Sequence, residues 1–221
     1  RPLPSGRVRE SDIVISLIAV IVLFLLSNLW TGRVFWMALI LLAYSLLMFK
    51  YFFIPEILRK YLLLNLLTHN PVTALLLTYV VLLFAGDHGL ALSELDWPRI
   101  LLVIVMYWLV MFAWEISRKI RAPEEENAYV TYSQIFGPAG AVAVALGAQS
   151  VAFAIGIYLS VVLSLSWLFP AILAAGYART VLVYLRFLWR PNSKTSKLRP
   201  YAEQYGTCLF VARLLSSFLP L

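Results

Sequence analysis

From Asn127 to Ala178 the chain carries no charged residue. A single helix of that length would run about 78 Å at 1.5 Å per residue, whereas the hydrocarbon core of a bilayer is about 30 Å thick. The run is therefore expected to cross a membrane twice, turning near residues 158–166. Five more charge-poor runs have the right length: Ile13–Gly32, Val34–Phe49 continuing to about Ile54, Tyr61–Gly86 with Pro71 inside, Ile100–Trp114 with a further turn through Glu115, and Tyr205–Leu221. Hydrophobic residues make up 62% of the chain and charged residues 13%, against about 45–50% and about 25% in soluble domains. Such a surface needs lipid as its solvent. The expected fold class is all-α: a polytopic membrane helical bundle of about seven transmembrane helices, with residues 1–221 as one integral-membrane domain.

The net charge of +7 would suggest nucleic acid for a soluble protein. Here the cations sit beside apolar runs, so membrane lipids are the expected partner and nucleic acid is not. With the N-terminus placed inside, Arg1, Arg7, Arg9, Lys50, Arg59, Lys60, Arg118, Lys119, Arg121, Arg186, Arg190, Lys194, Lys197 and Arg199 share the inner side. That is fourteen of the eighteen basic residues. Arg33, Arg99 and the acidic stretch Asp87–Asp96 fall outside, as the positive-inside rule requires of seven spans. Arg179 and Arg213 lie within or near spans. The single cysteine, Cys208, excludes an internal disulfide and a cysteine-based metal site.

Chemistry is expected where polar groups converge on the inner side. Glu115 stands three and four residues before Arg118 and Lys119, so the three side chains can meet on one helix face. The bland reading is a helix-end salt pair. Glu124, Glu125 and Glu126 follow, three adjacent carboxylates whose repulsion must be relieved by a cation or by solvent. Mg²⁺, which prefers oxygen ligands and keeps phosphate in its shell, fits such a cluster; a solvated acidic loop is the alternative. In the loop Pro55–Tyr61, Arg59 and Lys60 can clamp a diphosphate or simply fix topology. His69 is a candidate proton acceptor, or a hydrogen-bonded structural histidine, beside Asn65, Thr68 and Asn70. The small-residue stretch Gly137–Ala148 lets helices approach closely and lacks the lysine and strand of a phosphate loop.

Two segments together resemble a known family. Arg1-Pro-Leu-Pro-Ser-Gly6 is similar to the R-P-x-P-S-G element of UbiA-type intramembrane prenyltransferases, which follows that family's first acidic motif. The stretch from Glu115 to Gly137, with Thr131-Tyr132-Ser133, resembles its second acidic motif and the start of the next helix, with glutamates in place of aspartates. Arg59 and Lys60 fall where the family carries basic residues. The resemblance implies a nine-helix fold around a central cavity, of which these spans would be helices three to nine. It also implies prenyl transfer from a prenyl diphosphate to an acceptor, with Mg²⁺ as cofactor. Glu124, Glu125 and Glu126 would then be metal ligands, Glu124 the best equivalent of the family's acid. Glu115, Glu124 and His69 would be the catalytic candidates, and Arg59, Lys60, Arg118 and Lys119 the diphosphate contacts. Because the first acidic motif would precede Arg1, the 221-residue chain alone is expected to be inactive, and an upstream-extended chain to turn over. A bacterial or archaeal cytoplasmic membrane is the expected location. A transporter lined by His69, Arg179 and Arg213, or a non-catalytic membrane scaffold, are the rival readings.

Overall fold

A computed structural model describes residues 9–218. The Arg1–Gly6 element, with Arg7, lies outside them. The described residues contain helices and no strand: α1 (Glu10–Asn28), α2 (Arg33–Phe49), α3 (Pro55–Lys60), α4 (Leu62–His69), α5 (Pro71–Asp87), α6 (Trp97–Ser117), α7 (Tyr132–Val162), α8 (Leu168–Trp189) and α9 (Arg199–Phe218). Among the described residues five helical segments are long and apolar enough to cross a membrane: Glu10–Asn28, Leu62–Asp87, Trp97–Ser117, Tyr132–Val162 and Leu168–Trp189. That is consistent with an integral membrane protein, since only structures that satisfy their own backbone groups span lipid.

Several boundaries differ from the hydropathy reading for local reasons. The helix expected to reach Ile54 stops at Phe49, because Tyr51, Phe52 and Phe53 adopt left-handed φ values of 49°, 51° and 61°. The segment Pro55–Lys60, expected as a loop, is a short helix whose first residue is proline, a position that needs no N–H donor. The charge-free run does reverse direction, at residues 163–167. There Ser164 takes a φ of 47° while the Leu165 N–H donates to Ser160 O and the Ser164 N–H to Val161 O. These bonds close the helix end with a left-handed residue, here a serine in the place glycine usually takes. Near its start α7 breaks at Gly137, whose φ of 69° precedes Pro138, a residue with no N–H to continue the ladder.

The described residues form two compact units. The first comprises α1, α2 and residues 75–95, which include most of α5. Its polar contact is Asn28, 2% exposed, whose amide donates to Phe24 O at 2.8 Å and accepts from the Tyr79 hydroxyl at 3.0 Å. Tyr79→Phe removes that interhelical bond. It is expected to lower stability by about 0.6 kcal/mol, and by no more than about 1.7 kcal/mol, read as an earlier midpoint in a detergent unfolding titration. Unchanged midpoints would mean the Asn28 carbonyl is satisfied elsewhere.

The second unit holds residues 54–74 and 96–218. In it α6 packs on α7, α7 on α8, α8 on α9, and α9 returns to α6, a closed four-helix arrangement. One buried cluster lies where Met106, Val110, Ala152, Phe169, Leu173, Tyr205 and Leu209 meet. The other gathers Leu62 and Leu66 of α4 with Ile116, Ile120, Ala122, Tyr132, Tyr184, Phe187 and Leu198. The start of α4 is thereby fixed beside the end of α6. Along α7 the buried face is Ala141, Ala145, Ala148, Ala152, Gly156 and Leu159, the period of a helix pressed on its neighbours.

Candidate functional site

The end of α6 is shaped by the return of the chain. After Ser117 the backbone leaves the helix, and two hydrogen bonds bring the next helix back to it. Tyr132 N–H donates to Lys119 O at 3.2 Å, and Arg121 N–H donates to the Ser133 hydroxyl at 2.6 Å. The loop between is thus closed at its neck. Thr131 caps α7 by accepting from Gln134 N–H, and Gln134 returns the bond to Thr131 N–H, a reciprocal cap of two otherwise orphaned donors.

Glu115, Arg118 and Lys119 do meet, as their spacing predicts. Lys119 Nζ lies 3.1 Å from Glu115 Oε1, and Arg118 grips the same carboxylate with Nε and with Nη2 at 2.8 Å. The Glu115 bond holds the Arg118 guanidinium above its ordinary pKa range. The sequence does not show how enclosed this group is. Lys119 is only 8% exposed, and its ammonium sits 5.8 Å from the centre of the Tyr132 ring. Tyr132 is itself fully enclosed, and its hydroxyl has no hydrogen-bond partner among the described residues. Two further contacts complete this end and left no signature in sequence. Ser117 and Tyr184 share a short hydroxyl–hydroxyl bond, and Trp114 Nε1 donates to Glu203 Oε1 at 2.9 Å. Arg199 pairs with Glu203 at 2.7 Å, and the guanidiniums of Arg118 and Arg199 lie 5.4 and 5.6 Å from the Trp114 ring.

The three adjacent glutamates relieve their repulsion by turning to three different donors. Glu124 Oε1 accepts from Ser193 N–H at 2.7 Å, Glu125 Oε2 from Ala122 N–H at 3.1 Å, and Glu126 takes the Thr131 hydroxyl with both oxygens at 2.8 Å. The Ser193 donors hold the Glu124 carboxyl below its usual pKa range. Among the described residues no three or more carboxylate, imidazole or thiol side chains lie together as a metal cage. A magnesium ion that takes one or two carboxylates plus phosphate oxygens would have the second oxygen of Glu124 or of Glu125 to bind, since each accepts its hydrogen bond through the other.

Arg59 and Lys60 are exposed at the end of α3, next to the turn into α4, and Lys60 Nζ lies 5.4 Å from the Tyr61 ring. His69 ends α4 with Nδ1 at 2.9 Å from Asn65 O and 3.2 Å from the Thr68 hydroxyl. Against the Asn65 carbonyl Nδ1 acts as the donor. Arg179 lies exposed over the Tyr201 ring at 5.6 Å, and Arg213 donates to the Ser217 hydroxyl at 3.1 Å.

No family model, curated protein or solved structure matches the chain. The functional reading therefore stands on the residues themselves.

Proposed function

We propose that the protein is a membrane-embedded prenyltransferase. In this reading it binds a prenyl diphosphate at the α6–α7 end of its second unit and transfers the prenyl group to an acceptor. Seven spans, α2 and α9 included, with the N-terminus on the cytoplasmic side are part of the same proposal, supported by the one-sided distribution of basic residues. The carrying observation is the enclosed Lys119 ammonium, paired with Glu115 next to Arg118 and near the ring of Tyr132, a tyrosine whose buried hydroxyl has no hydrogen-bond partner among the described residues. A buried polar atom without a partner costs about 1–3 kcal/mol, and an ammonium held out of water at the end of a membrane-length helix, where lysines ordinarily snorkel to the interface, points to a role beyond anchoring.

The chemistry asks little of the side chains beyond charge and dryness. Heterolysis of the allylic C–O bond sends the electron pair to the diphosphate and leaves a carbocation. Arg118 and Lys119 stabilise the charge on the departing diphosphate, and Arg59 and Lys60 extend the cationic end. The apolar helices keep water from the cation. The acceptor bonds to the cationic carbon and surrenders a proton, for which Glu115 and His69 are the candidate bases. Mg²⁺, when bound with help from Glu124, Glu125 or Glu126, would neutralise further diphosphate charge.

One observation favours a second reading, a non-catalytic scaffold: Glu124, Glu125 and Glu126 each accept a hydrogen bond from a donor of their own chain. Binding of radiolabelled farnesyl or geranylgeranyl diphosphate to the protein in nanodiscs, with Mg²⁺ and with chelator, separates the two. The transferase reading expects metal-dependent binding that weakens about tenfold to a hundredfold in Arg118→Ala, the range for losing a hydrogen bond to a charged group. It also expects a clear loss in Glu124→Ala and Arg59→Ala. Binding unmoved by the chelator and by all three substitutions leaves the scaffold.

A further inference from the structure

The end of α8 and the turn into α9 gather four exposed basic residues within twelve positions. Arg186, Arg190, Lys194 and Lys197 are all exposed there, and none has an ion-pair partner among the described residues. Elsewhere in this unit Arg99 pairs with Asp96, Arg118 and Lys119 with Glu115, and Arg199 with Glu203, while Lys60, Arg121, Arg179 and Arg213 stand singly or at most two together without an ion pair among the described residues. Among the described residues Glu124 is the carboxylate hydrogen-bonded to the turn, its Oε1 accepting from the Ser193 N–H.

The turn is also pre-shaped. Asn192 Oδ1 accepts from the N–H groups of Lys194 and Thr195, the Thr195 hydroxyl donates to Arg190 O at 2.6 Å, and Ser196 and Leu198 are buried beneath. It frames two adjoining hollows, of about 650 and 300 Å³, that share Arg186, Lys194 and Thr195. The larger continues along α8 over Leu182, Leu185 and Trp189, which are 68%, 51% and 79% exposed. The smaller adds Lys197 and Tyr201. The apolar wall lies on the outer face of a helix long enough to span a bilayer, with the cations at its end. Cationic end and apolar flank together match one kind of molecule.

We infer that this groove is a binding site for an anionic membrane phospholipid, its phosphate held by Arg186, Lys194 and Lys197 and its acyl chain lying along Leu182, Leu185 and Trp189. Guanidinium forks and ammonium groups suit phosphate oxygens, and Trp189 suits the headgroup level. The inference needs only a membrane-embedded chain, so it stands or falls apart from prenyl transfer.

Native mass spectrometry of protein released from phosphatidylcholine nanodiscs, with and without phosphatidylglycerol, tests it. The unsubstituted protein is expected to retain phosphatidylglycerol through mild delipidation. Arg186→Glu/Lys194→Glu is expected to lose it about tenfold or more, because each cation near the headgroup contributes separately. Arg186→Gln/Lys194→Gln, gentler to folding, should show a smaller loss in the same direction. Arg33→Glu/Lys50→Glu, equally exposed cations flanking α2, should leave retention unchanged. Equal loss in that control pair, or full retention in both groove variants, overturns the site. Displacement of the lipid by inorganic diphosphate alone also overturns it, since the groove would then read a phosphate without its chain.

Discussion

Glu115→Ala is expected to destabilise the protein by about 3 kcal/mol, the lower end of the range for removing one partner of a buried ion pair. The reason lies in the asymmetry of the Glu115 cluster. Arg118 keeps 39% of its side chain exposed and can turn to solvent when the carboxylate is gone, but the Lys119 side chain is only 10% exposed. Its ammonium would be left enclosed beside the Tyr132 ring with no counter-charge. Lys119→Met removes the stranded charge instead, and Arg118 still pairs with Glu115, so a smaller loss is expected. In the double variant Glu115→Ala/Lys119→Met part of the stability should return, because the enclosed ammonium is removed together with its counter-charge. Detergent unfolding midpoints of the three variants decide it. If Glu115→Ala is no less stable than Lys119→Met, the enclosed ammonium is not what the carboxylate is there to balance.

Gly156→Ala should cost about 2 kcal/mol or more, within the usual range for overpacking a filled core. A Cβ at Gly156 would stand 2.5 Å from Leu173 Cδ2 and 3.4 Å from Met106 Sδ. Leu173 is fully buried, in the cluster that joins α6, α7, α8 and α9, and has nowhere to swing. Gly147→Ala in the same helix is the control. A Cβ there meets nothing within 4 Å, and alanine is the better helix former by about 0.5–1 kcal/mol, so that variant should match or exceed the parent. Leu173→Ala should cost less in the Gly156→Ala background than alone, the non-additivity of residues in contact. Equal midpoints for the two glycine variants would remove the close α7–α8 approach.

These two predictions also mark how far the residues could be read without coordinates. The small-residue stretch of α7 pointed to close helix packing, and α7 does bury Ala141, Ala145, Ala148 and Ala152. Which glycine is pressed was not legible: Gly147 faces open space, and Gly156, beyond the stretch, carries the contact. The spacing of Glu115, Arg118 and Lys119 predicted their meeting, because partners three and four residues apart on a helix are neighbours in any fold. The glutamates at 124–126 called for a cation or for solvent to relieve their repulsion, since adjacent like charges repel. Their observed donors are a backbone amide 69 residues away, an amide three residues back and a hydroxyl five residues on. Only the last two were within reach of a local reading.

The chain by itself determined that helices, several of them of membrane length, would form, and where most of them would run. Transfer of apolar residues to lipid adds up locally along the chain, and a backbone in lipid must bond to itself. Tertiary structure alone decided that the Lys119 ammonium is enclosed, that Trp114 finds Glu203 across 89 residues, and that Glu124 holds the α8–α9 turn. Such pairings depend on a few tenths of an ångström between elements remote in sequence, and hydropathy carries no record of that distance.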